Sequence, residues 1–296
     1  MWRRTTHAVA VAVVLASTLS CAVAGPREPF FHKKYGWQAE KFFDDPQVIA
    51  LCEAIEANDL EEIDRLVADG ADVNALGKGN MTPLLWAYPE NHPERFKRLS
   101  EHGADPNVVF ESDFNTRMSI VRPGDSVTYM ACACEFPGYF DQVLDHGGDP
   151  DFVQSKYGET LIYKLLTGDC ADKKAKVQRL IELGAEVDPD PRVGTDCYLM
   201  PAKETAIAFV QYDIALMLLQ AEAVHNDSID DNGLLIHLLA TAERRFPLSL
   251  SEQQQEDYHR LVHWLETHGE LIEAAKKWRE WMKPGAHGSF QESFAD

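Results

Sequence analysis

Apolar residues recur along the middle of the chain in short bursts at helical spacing. Leu51, Cys52, Ala54 and Ile55 form one burst, a turn falls at Asn58 and Asp59, and Leu60, Ile63, Leu66 and Val67 form the next before Gly70. Residues three and four apart share a helix face, so each burst predicts a short helix with one buried stripe. The glycine supplies the left-handed residue on which such a helix ends. The alternation continues with Leu84, Leu85 and Ala87, then Phe96 and Leu99 before Gly103. Looser copies run through Tyr129 and Met130 to Phe140, Val143, Leu144 and Gly147, and through Leu161 and Ile162 to Leu180, Leu183 and Gly184. Helices this short are unstable alone in water, which makes stacking against neighbours the expected source of their stability.

A phrase repeats on top of this pattern. Leu66-Val67-Ala68-Asp69-Gly70-Ala71-Asp72-Val73-Asn74 returns as Leu99-Ser100-Glu101-His102-Gly103-Ala104-Asp105-Pro106-Asn107, with the two glycines 33 residues apart. Thr82-Pro83-Leu84-Leu85-Trp86-Ala87 lies between them, with proline in a first-turn position where its missing N–H costs nothing. Together these segments resemble the ankyrin-repeat family, whose 33-residue unit opens on T-P-L-H-x-A. The resemblance covers about residues 46 to 270, and the first two or three units match best. It implies an all-α solenoid of five to six helix-turn-helix units joined by finger-like turns. Approximate units are 46–77, 78–108, 122–152, 156–188, 201–226 and 231–270. Glu222 stands where the fifth unit would have glycine, and the sixth carries an insert at Arg244 to Glu256.

The ends of the chain read differently. Arg3 and Arg4 precede an apolar run from Ala8 to Leu19, and Ala22-Val23-Ala24 offers the small-x-small pattern read by a signal peptidase. Residues 1–24 are therefore expected to be a leader that sends the chain to the periplasm or outside the cell. Cys21 after Thr18-Leu19-Ser20 leaves lipid anchoring as an alternative, with no membrane insertion once the leader is removed. Residues 25–45 form an aromatic N-terminal extension. At the other end, Leu271, Ile272, Ala274, Ala275, Trp278 and Trp281 follow helical spacing, which suits a capping helix over 271–283, and 284–296 reads as a tail.

Charge narrows the partners. With 48 acidic against 28 basic residues the chain carries a formal charge of −20, which repels phosphate backbones and anionic lipid. Five cysteines follow the leader. Cys52, Cys132 and Cys134 fall in predicted helices, where cysteine is a small buried apolar residue. Cys170 and Cys197 are the one pair suggested for a disulfide in an exported chain.

No catalytic motif stands out: Gly-x-Ser-x-Gly, His-Glu-x-x-His and a phosphate-cradling glycine loop are all missing from the sequence. His102, His146 and His268 each precede a helix-ending glycine, and they fit the negative end of a helix dipole better than a shared metal. Ser228 to Gly233 has the start of a calcium loop, but Leu239 occupies the position of its bidentate glutamate. The expectation is a non-enzymatic monomer without metal or cofactor that binds an unidentified protein. An immunity or inhibitor protein for a toxin or hydrolase is an alternative, and an enzyme with its site in residues 170–202 is another.

The ankyrin resemblance implies recognition positions just before and within the first helix of each unit: Lys78 and Met81, Arg122 and Asp125, Lys156, Tyr157 and Glu159, and Tyr212. Phe110 and Phe114 join them because the loop from Val108 to Arg122 is eleven residues longer than the repeat requires and unusually apolar. That loop either waits for a partner or folds back over the helices.

Overall fold

A computed structural model describes residues 30–114, 121–132, 136, 138–187, 201–225 and 250–268. The architecture is all-α. Among the described residues extended pairing is limited to one isolated antiparallel bridge between Val153 and Thr160. The chain divides into two units, residues 1–38 and 39–296. In the first, helix α1 (Phe30–Tyr35) turns back at Gly36, where the Trp37 N–H donates to the His32 carbonyl at 2.9 Å and the Trp37 ring meets Phe31 edge-on.

The second unit begins with a single turn, α2 (Ala39–Phe42), and continues as helix pairs: α3 (Pro46–Ala57) with α4 (Leu60–Ala68), α5 (Pro83–Ala87) with α6 (Pro93–Glu101), and α7 (Val127–Cys132) with α8 (Tyr139–Asp145). Then come α9 (Leu161–Thr167) with α10 (Lys173–Glu182), α11 (Ala202–Ala208) with α12 (Tyr212–His225), and α13 (Glu252–His268). First helices pack on first helices, α3 on α5, α7 on α9 and α9 on α11. Second helices do the same, α4 on α6, α6 on α8 and α10 on α12, giving two layers with the apolar stripes between them.

Local chemistry explains many of these boundaries. The side chains of Asp45, Asp59, Thr82 and Thr160 each accept a hydrogen bond from a backbone N–H in the first turn of the helix that follows, covering a donor the helix leaves open. Second helices end alike. Ala71 N–H donates to the Leu66 carbonyl at 2.9 Å, and Ala104 to Leu99, Gly148 to Val143 and Ala185 to Leu180 at 2.8–3.0 Å. Gly70, Gly103, Gly147 and Gly184 stand at these ends with positive φ, as the Schellman cap requires. In α12 the expected glycine is Glu222, and there the helix runs on, with Glu222 paired to Lys203 of α11 at 2.9 Å.

Neighbouring pairs interlock through the residues after those glycines. The Asn74 amide donates to the Gly103 carbonyl (2.9 Å) while its oxygen accepts from the Asp105 N–H (2.7 Å). Asn107 makes the same two bonds to Gly147 (2.7 Å) and Asp149 (2.8 Å), and the Asp151 carboxylate accepts from the Glu186 N–H at 2.6 Å. Arg95 is buried between α5 and α6 and donates to the carbonyls of Ile55, Ala87 and Pro89 at 2.7–3.2 Å. It holds the wide connection from Pro89 to Pro93, where Glu90 and Asn91 take left-handed backbone.

The structure decides one alternative that the sequence left open and corrects one segment. The loop after Val108 folds back: Phe110 N–H donates to the Asp125 carbonyl, Gly124 N–H donates to the Phe110 carbonyl, and the Phe114 ring lies edge-on to Phe110 and Phe42. Residues 115–120, with Met118 and Ile120, lie outside the described residues. Part of the supposed insert, from Glu252, is the start of α13. Ser251 and Gln254 cap that helix reciprocally, the Gln254 N–H donating to the Ser251 hydroxyl and the Ser251 N–H to the Gln254 side chain. Leu261 and Leu265 are buried in the core cluster, and α13 packs on α12. The leader, the candidate calcium loop, Cys134, Cys197, the region 188–200, and the capping helix and tail at 271–296 lie outside the described residues. Cys52 and Cys132 are buried free thiols, and burial pushes both well up from the ordinary range, while Cys170 is a half-buried free thiol.

Candidate functional site: the turn edge

The turns that join successive pairs lie side by side and are bonded to one another. Asn80 donates to the Val109 carbonyl at 2.9 Å, and Glu111 N–H donates to the Gly79 carbonyl at 3.0 Å. Gly79 has φ +68°, and a side chain there would meet the Ser112 hydroxyl at 2.3 Å. Gly124, with φ +92°, similarly has the Gln154 amide 2.8 Å from where a Cβ would stand. Both close approaches depend on glycine, because neither the space nor the backbone conformation tolerates a side chain.

The richest part of this edge joins the turn at 121–126 to the turn at 153–160. Arg122 N–H donates to the Asp125 carboxylate at 2.9 Å, closing the first turn. In the second turn the Gln154 side-chain oxygen accepts from the N–H groups of Lys156 and Tyr157 at 2.9 and 2.7 Å. The Gln154 amide nitrogen reaches the other way, donating to the Pro123 carbonyl and to Asp125, both at 3.1 Å. Gln154 is fully buried and is the fastener between the two turns. It escapes sequence reading because an isolated glutamine in a polar loop looks like a solvated one.

Aromatic rings and charges gather around this fastener. The Arg122 guanidinium and the Lys156 ammonium each lie 5.2 Å from the Tyr157 ring centre. Lys164, on α9, lies 4.9 Å from the ring of Tyr129, on α7. The Tyr129 hydroxyl donates to the Glu159 carboxylate. Burial and the adjoining Glu159 push the Tyr129 phenol well up, so it stays a donor at neutral pH. Burial also raises Asp125, and the Arg122 N–H and Gln154 offset only part of that rise.

Arg122, Asp125, Lys156, Tyr157 and Glu159 are thus brought into one cluster, and Lys78 is exposed on the neighbouring turn at 78–80. Five of the ten expected recognition residues face inward, Asp125 of this cluster among them. Met81, Phe110 and Phe114 are core side chains, because the turns close over them, and Asp125 is covered by Gln154. Tyr212 begins α12, a second helix, and its ring packs edge-on against Tyr258 of α13. A side chain without accessible surface has none to offer a partner. Asp125 therefore positions Arg122 and Gln154, and the other four belong to the interior.

The histidines before the glycines serve the helix layers. His102 pairs with Asp64 of α4 at 2.7 Å, and the His146 ring sits 2.7 Å from the Gln142 carbonyl of its own helix. No described helix is long and apolar enough to cross a membrane.

No family model matches the chain. It is similar over 59 residues, at 41% identity, to proteins described as mitochondrial disaggregase from Bos taurus and from Homo sapiens. The match covers 20% of this chain and spans 9% and 8% of the respective relatives.

Proposed function

We propose that the chain is a non-catalytic interaction module whose helix pairs stack as ankyrin-type repeats and whose turn edge receives another protein outside the cytoplasm. The recurring interlock carries this reading: Asn74, Asn107 and Asp151 occupy the same place after successive helix ends and tie the first four helix pairs in succession. A stack joined in this way sets its turns in a row, and a row of ordered turns is a large preformed surface that binds without the cost of ordering loops. The leader-like residues 1–24 support export. The short, partial similarity to the disaggregases supplies no activity to transfer.

A photo-crosslinking amino acid placed at Lys78 or Tyr157, and in parallel at Gln178 on the exposed side of α10, tests the assignment in the cells that make the protein. Discrete adducts from Lys78 and Tyr157 and none from Gln178 are expected. Equal labelling from all three positions, or none, would refute it. N-terminal sequencing of the exported protein tests cleavage after Ala24.

A further inference from the structure

In a chain with 48 acidic and 28 basic residues, a lysine without a carboxylate partner is the exception to explain. On the second helices α4, α6 and α10, every lysine and arginine is engaged. Arg65, Lys97, Arg98, Lys174 and Arg179 meet carboxylates, while Arg95, Lys173 and Lys176 donate to backbone carbonyls. On the turn edge Lys78 and Lys156, and beside it Lys164 on the first helix α9, have no ion pair among the described residues. Lys156 and Lys164 lie over aromatic rings instead, and Arg122 shares the Tyr157 ring, with Asp125 3.8 Å away.

We propose that this edge recognises an acidic segment of the partner protein, with carboxylates docking on Lys78, Arg122, Lys156 and Lys164. The inference rests on the interaction role proposed above. A cation held over a ring keeps its charge and its donors while losing conformational freedom, so a carboxylate finds it already placed and gains charge-assisted hydrogen bonds. The two carboxylates within the cluster do not fill that place, since Asp125 is buried under Gln154 and Glu159 accepts the Tyr129 hydroxyl. Apolar side chains complete the surface. Leu76, Val109 and Val153 each stand two residues beyond an interlocking residue, in the same place on three successive turns, and are 61%, 38% and 40% exposed. They call for apolar residues interspersed among the partner's carboxylates. A polyphosphate chain would also meet these cations, but it carries no apolar groups for Leu76, Val109 and Val153.

The test is fluorescence anisotropy on the full protein with a labelled peptide of repeated Glu-Glu-Leu triplets, a Gln-Gln-Leu counterpart and an oligothymidine of similar length. The acidic peptide is expected to bind, with the glutamine peptide about tenfold weaker or worse. Lys156→Gln/Lys164→Gln is expected to weaken the acidic peptide by a similar factor, whereas Lys97→Gln leaves it unchanged. No binding of the acidic peptide, equal binding of the glutamine peptide, indifference to the double variant, or tighter binding of the oligonucleotide would each overturn the proposal. If the peptide fails while crosslinking at Lys78 and Tyr157 persists, only the acidic assignment falls. Failure of both removes the interaction role as well.

Discussion

The two sides of the helix pairs handle charge in opposite ways. Along the second helices ionic contacts bridge neighbours: Arg98 of α6 reaches Asp64 of α4, Arg179 of α10 reaches Asp145 of α8, and Lys174 of α10 reaches Asp213 of α12. On the turn edge the polar contacts that join neighbours come from amides, such as Gln154 and Asn80, and the lysines are left over. Cations on the second helices are engaged, several of them across neighbouring helices, and the lysines on the turn side stay available. Arg95 marks a third case on the same helix as Arg98. One turn closer to the helix start, it is buried and satisfied by carbonyls, and burial pushes its guanidinium down from the ordinary range.

This contrast is open to breakage. The largest effect is expected beneath the turn edge. Phe110→Ser empties a core position and should cost about 4 kcal/mol by chemical denaturation. A loss of binding at unchanged stability would instead return Phe110 to the recognition surface. Arg95→Met removes the side-chain donor from the Ala87, Pro89 and Ile55 carbonyls, of which Ile55 keeps the Asn58 N–H, and should cost about 3 kcal/mol, whereas a neutral result would mean the connection from Pro89 to Pro93 holds without it. Asn107→Ala removes one interlock and should cost about 1–2 kcal/mol. Asn74→Ala is expected to cost somewhat less, because Asn107 also accepts the Thr128 hydroxyl at 2.7 Å.

The pH dependence sharpens the comparison further. The hydrogen bond from His102, with Arg98 beside it, holds the Asp64 carboxyl below its ordinary value in the folded chain. Its stabilisation is present above the unfolded pKa of about 4 and is lost as pH falls through the lower folded value. Asp125 is raised by burial, so its contribution has the opposite sign: stability declines as pH climbs from about 4 through the folded value. Urea titrations across the acid range should show Asp64→Asn flattening the acid loss. A steeper loss would reverse the assignment. The smallest effect is expected at Lys156→Gln, which breaks no ion pair and should leave the urea midpoint unchanged.

Helix positions were the most legible feature. Thr82 and Pro83 open α5, and Gly70, Gly103, Gly147 and Gly184 stand at the ends of second helices, because caps depend on neighbours in sequence. Ser251 and Gln254 carry the same kind of signal for α13, inside a segment whose departure from the repeat makes it read as an insert. The candidate site was half legible. Lys78, Arg122, Lys156, Tyr157 and Glu159 lie on the turn edge, but repeat register alone does not separate them from Met81, Phe110 or Asp125, which face inward.

By itself the sequence determined where helices start and stop, which faces are apolar, and that the chain carries a large acidic surplus, since these follow from spacing and composition. Tertiary structure alone decided which polar residues are buried fasteners and which are free. Gln154 and Arg95 became interior because turns and helices distant in sequence closed over them with carbonyls in reach. Lys156 and Lys164 became available because rings, rather than carboxylates, arrived beside them. A buried hydrogen bond needs both partners brought together in space, and residue type sets only one of them.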